Sequence, residues 1–148
     1  MERIVKTPID ARSTIARIER DEAGAILTFA GTVRNRHRGR DVIAIDYHAY
    51  ESMAARELEK LEREIESRWP EIRAAIVHRI GYLELGEASV LIAVSSPHRT
   101  QAYESSRFII EEIKKRLPVW KKERYSDGVE EWVPGATPIA PTRGAEQP

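Results

Sequence analysis

Lysine side chains are concentrated in one short stretch of this sequence. Four of the six lysines fall in the segment IKKRLPVWKKE at 113–123. Lys114 stands in the last turn of a predicted helix, where the helix dipole alone favours a cation, so a structural role is an alternative to catalysis. Lys121 follows Pro118 and Trp120, a rigid turn and a large aromatic side chain that fix the direction of its ammonium group. A lysine packed in this way loses hydration and titrates at lower pH, which suits it to proton transfer.

Further cationic residues stand where predicted elements begin or end. His98 and Arg99 follow a predicted strand and precede a helix that begins near Thr100. The backbone N–H groups and the dipole at a helix N-terminus favour an anion, and an arginine there can bind a phosphate with two hydrogen bonds. Arg34 comes just after another predicted strand, in which Gly31 allows close backbone approach. A loop histidine and surface arginines are the alternative interpretation.

These cations predict an anionic ligand if folding brings them together. Arg34, Arg99, Lys114 and Lys121 carry like charges, which repel each other unless an anion lies between them. The substrate would then carry a phosphate or a carboxylate. Glu123 either holds the ammonium group of Lys121 in place or is simply its exposed neighbour.

Several kinds of chemistry are excluded by what the sequence lacks. The chain has no cysteine, so it has no disulfide, no thiolate metal site, no thiol nucleophile and no persulfide of its own. It also lacks the phosphate-binding loop, the dinucleotide-binding glycine pattern and the HExxH zinc motif. The four histidines share no metal-ligand spacing, so we expect neither a metal site nor a cofactor. The acidic residues cluster on a predicted solvent face, which argues against catalysis by a carboxylate pair.

The elements that must position these residues can be predicted from the spacing of apolar side chains. The predicted order is α-β-β-α-β-β-α-β-β, which indicates an α+β fold with helices packed on a mainly antiparallel sheet. In chain order we expect a helix at 9–20 capped by Asp10, strands at 25–31 and 42–49, a helix from Ser52 to Trp69, strands at 74–80 and 88–95, a helix from Thr100 to Pro118, and a hairpin at 124–133 that turns at Asp127-Gly128.

The same spacing predicts which side chains are buried. The stripe of the second helix comprises Ala54, Leu58, Leu61 and Ile65. The stripe of the third helix comprises Tyr103, Ser106, Ile110, Ile113 and Leu117. In the strand at 42–49, the alternation places Ile43, Ile45 and Tyr47 on one face.

Length and composition predict a single domain at 1–133. The last fifteen residues, 134–148, hold four of the eight prolines and no aromatic residue, so we expect a disordered tail there. No apolar run approaches the ~18–20 residues of a membrane span, and the N-terminus leads into no signal-peptide pattern. We therefore expect a cytoplasmic protein.

The segment RNRHRGR at 34–40 contains four arginines and no acidic residue. It has no periodicity, so it is predicted to be a mobile basic loop. Together with Trp120 it suggests an alternative function, an RNA-binding module that stacks bases on aromatic side chains. A dimeric scaffold that only holds a partner is a third possibility.

Four motifs in the right order resemble one known family. They are FAGTVRN at 29–35, VHRIGYLELGE at 77–87, VSSPHR at 94–99 and IKKRLPVWKKE at 113–123, the last followed by DG and WV. Together they resemble the large, catalytic subunit of molybdopterin synthase, over about residues 5–133.

The resemblance implies an α/β hammerhead-type fold and a homodimer that binds two copies of a small ubiquitin-like sulfur carrier, as a heterotetramer. The carrier's C-terminal Gly-Gly tail ends in a thiocarboxylate, which delivers sulfur to cyclic pyranopterin monophosphate. Two transfers form the dithiolene of molybdopterin, in molybdenum cofactor biosynthesis. An enzyme that adds two sulfur atoms without owning a cysteine must take them from elsewhere, and a carrier meets that need.

The resemblance also assigns roles to individual residues. Lys114 and Lys121 are the implied catalytic residues. The implied substrate-binding residues are Thr32, Val33, Arg34, His98, Arg99, Lys114, Lys121, Lys122 and Glu123. The sequence departs from the family in its arginine-rich loop and in His48, which stands where a glutamate is common.

Overall fold

The computed structural model describes residues 2–133, and that part of the chain forms nine strands and three helices. The predicted tail at 134–148 lies outside the described residues. In chain order the elements are β1 (Ile4–Val5), α1 (Ala11–Ala16), β2 (Ala25–Thr32), β3 (Arg36–His37), β4 (Arg40–Ala49), α2 (Glu51–Arg68), β5 (Arg73–Arg79), β6 (Gly81–Glu84), β7 (Ala88–Ser96), α3 (Arg99–Arg116), β8 (Val119–Tyr125) and β9 (Glu130–Val133). The predicted α+β class is confirmed. No helix within residues 2–133 is both long and apolar enough to cross a membrane.

The first sheet has the strand order β1-β5-β7-β2, with β1 parallel to β5 and the other pairs antiparallel. Helices α2 and α3 pack on one face of this sheet, and α1 packs on the other. The two central strands are therefore buried on both faces, and Ala74–His78 of β5 is buried without interruption. Continuous burial of this kind is typical of a strand that is covered on both faces.

The two long helices differ in how well their buried faces were predicted. The stripe of α2 is confirmed, because Ala54, Leu58, Leu61 and Ile65 are all buried. The helix ends before Pro70, as predicted, but Tyr50 rather than Ser52 precedes its first turn, and no side-chain hydrogen bond caps it.

The predicted stripe of α3 is displaced. The helix begins at Arg99, and its buried face comprises Ala102, Ser105, Ser106, Ile109 and Ile113. Tyr103 is 62% exposed, so the prediction for that residue is wrong. A shift of one residue turns a helical face by about 100°, and small side chains instead of the tyrosine face the sheet.

The second sheet has the order β3-β4-β8-β9, with β6 also paired to β4. A β-bulge interrupts the pairing of β4 with β8 between Val42 and Ala44, and both of these side chains are buried. The extra residue, Ile43, is 49% exposed, so its predicted burial is wrong because a bulge breaks the alternation. The predicted turn at Asp127-Gly128 is confirmed, but β8 begins at Val119, well before the predicted hairpin.

The arginine-rich segment is a β-hairpin rather than a loop. β3 pairs with the start of β4 across a two-residue turn, in which Arg38 has φ 53° and Gly39 has φ 79°. Positive φ at both turn residues matches the twist of paired strands. Arg36 donates to Asp41 at 2.6 Å, and the guanidinium of Arg40 lies 3.6 Å from the centre of the Tyr125 ring.

Candidate active site

The two predicted catalytic lysines lie on either side of the corner between α3 and β8. α3 ends at Arg116 because Pro118 cannot continue it. Leu117 and Pro118 are both buried, and β8 starts at the next residue. The corner places Lys114 and Lys121 in the lining of one cavity of about 100 Å³. Its other polar lining residues are Tyr47, His78 and Ser89.

The electrostatic environment of Lys121 favours loss of its proton. Burial lowers the pKa of Lys121, and the positive charges of Lys114 and Arg34 lower this pKa further, against an opposing effect of Glu123. The ammonium group thus gives up a proton more readily than a solvated lysine. The side chain of Lys114 is exposed at the last turn of its helix. The structure therefore brings Lys114, Lys121 and the charge of Arg34 together.

Glu123 is a buried carboxylate and not an exposed neighbour of Lys121. It is 3% exposed. His37 Nδ1 lies 2.9 Å from its Oε1, and the hydroxyl group of Tyr125 donates to the same oxygen at 2.9 Å. The carboxylate thus joins the arginine-rich hairpin to β8, while its charge acts on Lys121.

The segment at 32–34 is held by backbone hydrogen bonds. Thr32 pairs with Ala88 beyond a bulge at the end of β2. Val33 is 4% exposed; its N–H donates to the Glu87 carbonyl at 3.0 Å, and its own carbonyl accepts from Gly86 N–H at 2.8 Å. Val33 is therefore an anchor that positions Arg34.

His98 and Arg99 are far from the cavity within one chain. Both side chains are exposed at the N-terminus of α3. Lys114 lies fifteen residues further along the same helix, which corresponds to ~22 Å at the usual rise. A single chain does not bring them to Lys114 and Lys121.

Lys122 also faces away from the cavity lining. Neighbouring side chains of a strand point to opposite faces, and Lys122 lies 3.7 Å from Glu130 and over the ring of Trp132. It is thus engaged on the outer hairpin β8–β9.

Sequence reasoning did not identify Tyr47, His78 and Ser89 as site residues. His78 is a polar residue in an otherwise apolar strand, AAIVHRI, and this was the available signal. The sequence analysis placed His37 in a loop, so nothing in the sequence predicted its contact with Glu123.

The RNA-binding alternative finds little support in the geometry. Trp120 is 6% exposed, so its ring is not available to stack bases, and Arg36 and Arg40 are paired with acidic side chains. Within residues 2–133, no three His, Asp or Glu side chains are grouped in a way that could hold a metal ion.

Comparisons with known proteins identify the family to which this chain is similar. The family described as MoaE protein matches residues 4–116. The molybdopterin synthase catalytic subunit of Bacillus subtilis is 51% identical over 130 residues, which cover 88% of this chain and 82% of that protein. The crystal structure of molybdopterin synthase from Staphylococcus aureus has a TM-score of 0.85 at 39% identity and covers 90% of this chain and 96% of the other.

A more distant structure shares the fold. It is the complex of subunits 1 and 2 of the molybdopterin-converting factor from Helicobacter pylori, with a TM-score of 0.71 at 20% identity, covering 97% of this chain and 96% of that chain. The match of one family over most of the chain, together with the close relative, is decisive. The chain belongs to the MoaE family of molybdopterin synthase catalytic subunits.

Proposed function

We propose that this chain transfers sulfur from the C-terminal thiocarboxylate of a small carrier protein to cyclic pyranopterin monophosphate, in two steps that form a dithiolene. The observation that carries the proposal is the pairing of Lys114 and Lys121 in one cavity, where burial and neighbouring cations lower the pKa of Lys121. The cytoplasm is the predicted location of the reaction.

The two lysines have different proposed roles. Lys121 moves protons as oxygen atoms leave the substrate, because its lowered pKa brings it closer to the working pH. Lys114 is more exposed and holds an ammonium charge at the cavity, where it stabilises negative charge that develops in the transition state. Arg34 adds a third cation and is suited to bind the phosphate.

The sulfur must come from a partner. The chain has no cysteine, so it cannot carry a persulfide. A ubiquitin-like carrier whose tail ends in a thiocarboxylate supplies both the sulfur and an anionic group that the lysines attract. The Helicobacter pylori relative, which was solved as a complex of two subunits, supports a partner of this kind.

A second copy of the chain completes the proposed site. The cavity of about 100 Å³ is smaller than the ~300–1,000 Å³ of pockets that enclose a small molecule. His98 and Arg99 stand exposed at the far end of α3, with no part in the cavity of their own chain. In a homodimer they would extend the anion site of the other protomer, and two carriers would make a heterotetramer.

Replacement of either lysine tests the proposal. We expect Lys114→Ala and Lys121→Ala each to lower the rate of dithiolene formation at least ~100-fold, the usual contribution of a positioned proton donor or charge. The measurement is turnover of cyclic pyranopterin monophosphate with thiocarboxylated carrier. Lys115→Ala is the matched control, since Lys115 adjoins Lys114 but its side chain is 68% exposed and lies near Glu112. Near-normal turnover by a folded Lys121→Ala variant would contradict the proposal.

A further inference from the structure

A buried histidine lines the cavity, and the proposed roles of the lysines do not involve it. His78 lies near the end of β5, where its backbone N–H donates to the Arg3 carbonyl at 2.8 Å. The residue is 5% exposed, yet its side chain forms part of the cavity wall together with Lys114 and Lys121. Burial of a polar side chain is costly unless it is hydrogen-bonded, so the hydrogen-bonding capacity of each ring nitrogen matters here.

The hydrogen bond of one ring nitrogen determines the tautomer. Nδ1 of His78 lies 2.9 Å from the carbonyl oxygen of Arg79. Because a carbonyl oxygen can only accept, Nδ1 carries the hydrogen. In the neutral ring, Nε2 then has a lone pair and is an acceptor.

The ring is neutral at physiological pH. Burial lowers the pKa of His78 to about 4, and the charges of Lys114 and Lys121 contribute in the same direction, although the bond to the Arg79 carbonyl opposes them. An imidazolium in this place would be a further cation beside the two lysines. The cavity therefore combines two ammonium groups with one imidazole lone pair.

The position of the imidazole is fixed by its neighbours. The ring of Tyr47 meets it edge to face, with 5.4 Å between the ring centres. Tyr47 and Ser89 line the same cavity, and the hydroxyl group of Ser89 donates to the Gly31 carbonyl at 3.3 Å. The acceptor is thus held on a rigid wall made of β4, β5 and β7, as a specific binding group requires.

We propose that His78 is a further substrate-contacting residue, which offers its Nε2 lone pair to an N–H or O–H group of the bound pterin. The inference rests on the proposed function and deepens it. Lysines alone would bind any small anion of the right size, inorganic sulfate included. An acceptor next to them selects an anion that also carries a hydrogen-bond donor at the right distance, because a donor and an acceptor recognise each other by geometry.

Two substitutions separate the two ring nitrogens. His78→Asn keeps an N–H group near the place of Nδ1 and removes the acceptor at Nε2, whereas His78→Gln can place an amide oxygen close to Nε2. We expect His78→Asn to raise KM for cyclic pyranopterin monophosphate about 10-fold, the loss of one hydrogen bond, with kcat changed less. His78→Gln is expected to recover most of this loss.

Inhibition by inorganic sulfate, an anion without a hydrogen-bond donor, separates recognition by His78 from a general distortion of the cavity. If His78 accepts a hydrogen bond from the pterin, sulfate should inhibit wild type and His78→Asn equally, since sulfate binds only the cations. His48→Asn is the matched control, because His48 packs against Trp132, outside the cavity lining. Should His78→Asn fail to fold, His78→Met supplies a side chain of similar volume without a strong acceptor.

The outcomes are distinguishable. An unchanged KM in His78→Asn overturns the inference, and so does a parallel loss of substrate and sulfate binding, which would show a distorted cavity. If the wild-type chain gives no turnover with thiocarboxylated carrier, the proposed function fails, and the inference fails with it. Active wild type with a selective KM defect supports both.

Discussion

The cavity holds three nitrogen bases whose protonation differs although they lie close together. Lys114 is exposed at the helix end, Lys121 is half-buried and His78 is buried. Burial lowers the pKa of Lys121 and of His78, because desolvation disfavours the charged form of a base. The cavity lining therefore contains an ammonium charge at Lys114, a readily released proton at Lys121 and a neutral hydrogen-bond acceptor at His78. Each group suits a different task in a transfer reaction.

Burial of His78 makes stability depend on pH in a defined direction. Its pKa is about 4 in the folded chain and about 6.5 in an unfolded one. Between these values the unfolded state binds more protons, so the free energy of unfolding falls as the pH is lowered from about 6.5 to about 4. The difference between the two pKa values corresponds to about 3 kcal/mol in the free energy of unfolding. Urea unfolding of wild type and His78→Gln at pH 7 and pH 4 measures it.

Wild type and His78→Gln share every other titrating group, so the difference between their pH dependences isolates the contribution of His78 to the free energy of unfolding. We expect wild type to lose about 3 kcal/mol relative to His78→Gln between the two pH values. An equal pH dependence in both proteins would mean that the imidazole is hydrated in the folded state.

The sequence reveals the chemistry of single residues better than their surroundings. The lysines could be selected because they are concentrated around a Pro–Trp turn. Burial of Glu123 could not be predicted, because its partner His37 lies in β3, 86 residues away along the chain. A hydrogen-bond network made by distant residues leaves no local spacing to detect.

Among the elements, α2 shows where periodicity is informative. Leu58 is fully buried within the core between the helix and the first sheet. We expect Leu58→Ala to lower the free energy of unfolding by about 2–5 kcal/mol, through lost burial and a cavity. Met53 lies on the same helix but is 42% exposed, so Met53→Ala should change the free energy of unfolding by less than about 0.5 kcal/mol. Chemical denaturation checks both variants, and similar losses would mean that the stripe is misassigned.

The other elements were predicted less well, for separate physical reasons. In β4 a bulge reverses the alternation after Val42, and no spacing rule in a single strand anticipates it. In the first half of α3 the packed face consists of Ala102, Ser105 and Ser106, whose small side chains carry little hydropathy signal. The hairpin at Arg38-Gly39 was missed because a non-glycine residue adopts positive φ there.

At the scale of the whole molecule, the separation of Arg99 from Lys114 predicts a site shared between two copies. Mixing the variants Arg99→Ala and Lys114→Ala tests this. In a mixed dimer, one pocket would draw Lys114 from one protomer and Arg99 from its partner, and so would be intact. With random exchange, about half of the dimers are mixed, and about a quarter of wild-type turnover should return.

The measurement is turnover after the two variants are unfolded and refolded together. The same variants refolded separately and then combined serve as the control. If the pocket belongs to one chain, every pocket carries one defect, and the mixture stays as inactive as its components.

The buried corner at Leu117-Pro118 has a consequence for variation in chain length. Only six residues separate Lys114 from Lys121 in the chain, so this corner, rather than contacts between distant elements, sets how the two lysines are placed relative to each other. An insertion of one residue there would turn Lys121 to the opposite side of its strand. The turn at Arg38-Gly39, by contrast, ends in solvent. Relatives of this chain should therefore vary in length at the hairpin and keep the corner at a constant number of residues.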